Sequence, residues 1–209
     1  MKKERKSFYI LVISLLLLMI LTISLAMLLE RNPAIHRRAL VSRLSNQELP
    51  LEKSLQRAQD YIQQGELNDA EIILLALVEK YPEESEPRLL LGMLYLQQKR
   101  YSHAEQTFRQ YILYYPENAN AYQLLSSAQA KLGSFAEAKN NILKASELAP
   151  QESSILLQAA DLHAMLKENE KALDFLKKAL IINRDTSQLK NYPNIIKLQE
   201  SAEFKAYFQ

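Results

Sequence analysis

The sequence predicts an all-α protein: an apolar amino-terminal helix of membrane-spanning length, then a solenoid of about four helical hairpins closed by a carboxyl-terminal capping segment. Three observations predict it. A 34-residue period runs through residues 51–184. The composition, with three glycines and no tryptophan or cysteine in 209 residues, suits helices. Residues 8–29 form an unbroken run of 22 uncharged residues dominated by Leu and Ile.

Residues 1–7 form a basic head. As a helix rising ~1.5 Å per residue, residues 8–29 would span ~33 Å, which matches a hydrocarbon core of ~30 Å and reads as an uncleaved membrane anchor. A cleaved signal peptide competes, because Ser24-Leu25-Ala26 supplies small residues at cleavage spacing. Against it, the run exceeds a signal core of about 7 to 15 residues and continues through Met27, Leu28 and Leu29. A buried core helix is disfavoured because no polar residue lines its other face. Lys2, Lys3, Arg5 and Lys6 precede the run, and Arg31, Arg37, Arg38 and Arg43 follow it. With the terminal amine, the slight excess on the amino side puts the repeats outside the cytoplasm, periplasmic in a bacterium; a cytoplasmic face is the alternative. Residues 30–50 are a basic linker. Asn32-Pro33 can start a helix in which Ile35, Leu40, Val41 and Leu44 oppose His36, Arg37, Arg38 and Arg43, suited either to anionic headgroups or to plain solvation.

From residue 51 four columns repeat every 34 residues. Ala70, Ala104, Ala138 and Ala172 form one, and Pro82, Pro116 and Pro150 another. A third holds small residues, Ala58, Gly92, Ser126 and Ala160. A fourth holds bulky Leu74, Phe108, Ile142 and Leu176. Two helices pack closely only where a small side chain leaves room for a large one opposite. Proline then ends each unit, since it lacks the N–H a helix needs. Gly65 marks the first hairpin turn, and the pairs Asn68 with Glu71, Ser102 with Glu105 and Ser134 with Glu137 predict capping boxes for the second helices. The units run 51–84, 85–118, 119–152 and 153–184. After Arg184 the period fails, yet Tyr192 to Leu198 and Phe204 to Phe208 remain apolar, as a segment covering the flank of a last repeat would be.

These columns, with Leu91-Gly92, Tyr95, Ala104, Phe108 and Pro116 in the best-matching copy, resemble the tetratricopeptide repeat family over about two thirds of the chain. Departures are Arg57 in the column of Leu91, Leu125 and Ala159, Gln129 and His163 in that of Tyr61 and Tyr95, and Arg184 in place of the closing proline. End units of stacked arrays commonly depart in this way.

Residues 1–50 carry eight Lys/Arg against three Asp/Glu, and residues 51–209 carry eighteen against twenty-one. A repeat domain of net −3 has no electrostatic reason to seek phosphate backbones, so no nucleic-acid partner is expected. Without cysteine there is no thiolate or disulfide chemistry. His36, His103 and His163 stand apart in sequence with no second ligand near, so no metal is expected, and His163 reads as a packing residue. Isolated Gly92 and Gly133 make no phosphate loop, no cofactor is expected, and nothing supports catalysis. Glu83-Glu84-Ser85-Glu86 reads as a solvated helix start. Of eleven tyrosines, Tyr111, Tyr114 and Tyr115 cluster; Tyr111 and Tyr115 fall in packing columns, and Tyr114 with Tyr115 form a candidate aromatic patch.

The resemblance implies a superhelix whose concave face, lined by the first helix of each unit, holds a peptide or helix. Carried over by register, its lining is Leu55, Gln59 and Ile62, then Leu89, Met93, Leu96 and Gln97, then Gln123, Ser127 and Lys131, and finally Leu157, Asp161 and Met165. The Lys and Asn pair with which some members grip a chaperone carboxyl terminus is absent at the matching positions. An apolar lining with a polar middle suits an amphipathic helix or unfolded segment, the alternative being that the carboxyl-terminal tail fills the groove. The expected function is a membrane-anchored, non-enzymatic adaptor for a protein or peptide partner in assembly or quality control of a bacterial envelope complex, or a membrane receptor facing the cytoplasm.

Overall fold

One helical hairpin of this composition cannot bury its own apolar face, so each must find cover from its neighbours. The computed structural model describes residues 18–22, 41–42, 50–202 and 204–205. Eight helices follow in hairpin pairs: α1 (Leu51–Gln64) with α2 (Leu67–Lys80), α3 (Ser85–Gln97) with α4 (Tyr101–Tyr114), α5 (Ala119–Leu132) with α6 (Phe135–Leu148), and α7 (Ser153–Met165) with α8 (Asn169–Ile182). A 3-10 turn (Thr186–Asn191) and a short α9 (Pro193–Gln199) complete the described fold.

The packing columns are the core. Ala70, Ala104, Ala138 and Ala172 are fully buried, as are Leu74, Phe108, Ile142 and Leu176. The small column is where the helices of a pair meet. A Cβ added to Gly92 would lie 2.4 Å from the Phe108 ring, and Ser126 instead donates its hydroxyl to the Ala138 carbonyl oxygen at 2.8 Å. Each hairpin turns through one left-handed residue, at Gly65, Lys99, Gly133 and Lys167, again 34 residues apart.

The second helices start differently from the capping expectation. Glu66, Arg100 and Ser134 hold the N-cap positions of α2, α4 and α6, and none makes a side-chain cap bond. Asn68 and Ser102 lie inside the first turn. The glutamates reach into the next unit instead: Glu71 pairs with Arg100 at 2.8 Å, and Glu105 accepts from Gln129 Nε2 at 3.1 Å.

From the second unit on, first helices of successive units approach each other, α3 against α5 and α5 against α7, and no pair of second helices does so to the same extent among the described residues. A stack closer on one side than the other curves, which puts the first helices on the hollow side. At the carboxyl end Leu189 and Ile195 pack with Leu156, Leu157, Ala160 and Leu176, and Leu198 packs with Ala172 and Leu173.

The expected membrane-spanning helix is corrected by the structure. Among the described residues no helix is long and apolar enough to cross a membrane. Within the run 8–29 the described helical residues are 18–22. The single-pass membrane localisation and the membrane contact through residues 8–29 depended on that helix and are corrected with it. The rest of that run, the head 1–7 and the linker apart from residues 41, 42 and 50 lie outside the described residues.

Candidate partner-binding groove

The hollow side is built from the inward faces of α1, α3, α5 and α7. On α3 the spacing of Leu89, Met93 and Leu96 keeps all three on one helical face. Met93 is 44% exposed, while Ile62, Leu89 and Leu96 are half-buried and rest on the core cluster of the first two units. Gln59 is half-buried beside them and Gln97 is exposed. Leu55 and Leu157, at 6% and 2% exposed, are core residues and offer little surface to a ligand.

The carboxyl half is polar and already engaged. Gln158 Nε2 donates to the Gln123 carbonyl oxygen at 3.1 Å and to Ser127 Oγ at 2.9 Å, tying α5 to α7. Asp161 accepts from the backbone N–H of Asn194 at 2.8 Å, from Asn194 Nδ2 at 2.9 Å and from the N–H of Ile195 at 3.2 Å, so its carboxylate caps the first turn of α9. Ser127, Lys131, Asp161 and Met165 meet around one recess of about 290 Å3 whose far wall is Asn191 to Asn194. Burial, helped by the Asp161 charge, raises the Tyr192 phenol above its ordinary pKa. Of the thirteen expected lining residues, Leu55 and Leu157 belong to the core, Ile62, Leu89, Met93 and Leu96 with Gln59 and Gln97 lie on the α1–α3 half, Gln123 is bonded through its backbone to Gln158, and Ser127, Lys131, Asp161 and Met165 share the recess walled by the tail.

Two participants were missed. Gln158 is the lone polar residue in the run Ile155 to Ala160, a signal visible in the sequence. Asn194 follows Pro193 at a helix start, and its partner Asp161 lies 33 residues away, which no local pattern reveals.

His163, expected as a packing residue, does stack on Phe175 at 5.4 Å, but its Nδ1 also lies 2.7 Å from the Glu168 carboxylate. Lys139 pairs with that carboxylate at 2.8 Å. Bonds from Lys139 and His163 hold Glu168 down to about 2, and burial pulls His163 below 6.5 despite Glu168. An ionised carboxylate only accepts, so Nδ1 carries the proton and the bare Nε2 faces no partner. Among the described residues no group of His, Cys, Asp or Glu is placed to hold a metal.

Family models for the tetratricopeptide repeat match residues 61–132 and 119–152. Several solved structures share the fold. MamA from Desulfovibrio magneticus RS-1, from its residue 41 to the end, is 19% identical, with 79% of this chain and 94% of that one covered at a TM-score of 0.61. A crystal structure of MamA is 18% identical, covering 76% and 87% at a TM-score of 0.65. MamA of MSR-1 is 24% identical, covering 66% and 80% at a TM-score of 0.57. At these identities the likeness is one of fold. No curated protein matches by sequence. Residues 61–152 of this chain are matched as tetratricopeptide repeats, and the hairpin of α7 and α8 continues the same stack beyond them.

Proposed function

We propose that this chain is a non-enzymatic adaptor that holds a segment of another protein in the amino half of its groove, in the service of assembling or checking a larger complex. One observation carries the reading. Ile62, Leu89, Met93 and Leu96 form an apolar floor on the hollow side, open at Met93, while the tail covers the other end. Exposed apolar surface in a concave site is what an amphipathic helix or extended segment buries on docking.

The test is a photocrosslinker placed at Gln97, inside the groove, and at Lys144, on an outer helix. Adducts from Gln97 that disappear in Leu89→Glu/Met93→Glu with helicity intact support the groove. Adducts equal from both positions, or unchanged in the double variant, move binding to the outer face or the tail and overturn it.

A further inference from the structure

We infer that the segment this groove accepts is basic and amphipathic: its apolar side chains lie on the α1–α3 floor and its Lys or Arg side chains meet an acidic lip. The inference rests on the groove reading above and adds the chemistry of the partner. Charge in the stack is uneven along its length. Residues 51–118 carry seven Lys/Arg against eleven Asp/Glu, a net −4, while residues 119–209 carry eleven against ten, a net +1.

The register locates the acids. In the third and fourth units Asn120, Gln123, Glu152 and Ser154 line one recess of about 380 Å3. Glu86 and Leu89 precede Asn120 and Gln123 by one period and hold the equivalent mouth between the second and third units, while Glu84 and Glu86 precede Glu152 and Ser154 by two and hold the one between the first and second units. Glu52 holds the same position one period before Glu86. Glu52, Glu83, Glu84 and Glu86 are all exposed. The Tyr115 hydroxyl donates to the Glu83 carbonyl oxygen and fastens this loop to α4. Of the neighbouring cations Lys53 is exposed beside Glu52, whereas Arg88 is turned inward: it is 5% exposed, with its guanidinium 4.8 Å from the Tyr114 ring centroid and Nη2 donating to the Pro82 carbonyl oxygen at 3.1 Å. An apolar strip under several exposed carboxylates repels an acidic ligand and steers a basic one, with the strip supplying most of the affinity.

The probes are two synthetic peptides, an amphipathic Leu/Lys helix and the same sequence with Glu at every Lys, titrated into the full-length chain by fluorescence anisotropy. The Leu/Lys peptide is expected to bind, more weakly as salt rises, and the Leu/Glu peptide is not. Glu83→Gln/Glu84→Gln/Glu86→Gln should weaken binding at least tenfold, and Asp69→Asn/Glu79→Gln, on the exposed side of α2, should leave it unchanged. Equal binding of both peptides, or equal loss from the α2 pair, overturns the inference. If Leu89→Glu/Met93→Glu abolishes binding while the lip variant has no effect, the charge inference fails and the groove reading stands. If the double variant binds as well as the original, the groove reading itself fails. Concentration-dependent doubling of mass without peptide, abolished by the double variant, assigns the floor to a second copy and likewise overturns it.

Discussion

Two residues show how little room the repeat allows. Gly92 is required by contact, because an added methyl would press on the Phe108 ring at 2.4 to 2.9 Å, and that ring is itself fully buried. Overpacking costs ~1–3 kcal/mol and the gain in helix propensity returns up to ~1. Gly92→Ala is therefore expected to lose about 1 to 2 kcal/mol in urea unfolding, although alanine serves at the same register in Ala58 and Ala160. His163 is constrained by protonation. Its pKa is lowered in the fold, so the neutral ring stabilises above 6.5 and that contribution is lost as pH falls below it, when a buried Nε2–H must form with no acceptor. Glu168, held at about 2 against an ordinary 4.5, contributes in a separate window: its stabilisation is complete above 4.5 and lost as pH falls toward 2. Thermal melts of His163→Gln, which copies Gln129, should therefore show less decline between neutral pH and the pH just above 4.5 than the original chain; an identical decline would place the titration elsewhere.

At the scale of helices, each junction between units carries one polar set at the same register: Glu71, Tyr95 and Arg100 in the first, Glu105 and Gln129 in the second, Lys139, His163 and Glu168 in the third. The charges reverse between the first and third, so a unit stacked out of order would bring like charges together, a device against misregister. Glu71 is almost fully buried, and reversing one partner of such a pair costs ~3–5 kcal/mol. Glu71→Lys alone should approach that loss, and Glu71→Lys/Tyr95→His/Arg100→Glu, which transplants the third set, should recover at least half of it. A triple variant no better than the single would show that the sets are not interchangeable. The hairpin turns supply a simpler case. Lys99 and Lys167 stand at φ of 58° and 60° where Gly65 and Gly133 stand in the other units. The left-handed conformation costs a non-glycine residue ~1–2 kcal/mol, partly offset by glycine's larger entropy loss. Each Lys→Gly change should then raise stability by about 0.5 to 1 kcal/mol. The packing columns were legible because contact within a hairpin depends on residues at fixed short spacing. The polar sets were not, since Glu71 and Lys139 find partners 29 residues ahead in a different unit, and a glutamate in that position reads equally well as a capping box.

For the whole molecule the stack behaves as a line of neighbours, each unit stabilised by the next, so its ends are its weak points. The apolar tail was legible as a segment needing burial. That its helix start would claim Asp161, a residue the register puts in the groove, was not, because a carboxylate's donors are fixed only when the chain has folded. The tail thereby divides the hollow side, covering α7 and leaving the floor on α1 and α3. A chain ending at Arg184 loses the burial of Leu189, Ile195 and Leu198, each worth at most ~1.5–3 kcal/mol, and leaves Leu156, Leu157 and Leu176 newly exposed. Because energy in a stack passes only between adjacent units, the loss should fall on α7 and α8, whose amide hydrogen-exchange protection drops by several orders of magnitude while α1 to α4 keep theirs. The amino half of the groove should bind as before in that shortened chain. Equal loss of protection from α1 to α8 would instead make the stack one cooperative body, in which the tail stabilises the floor it does not touch, and binding there would fall with it.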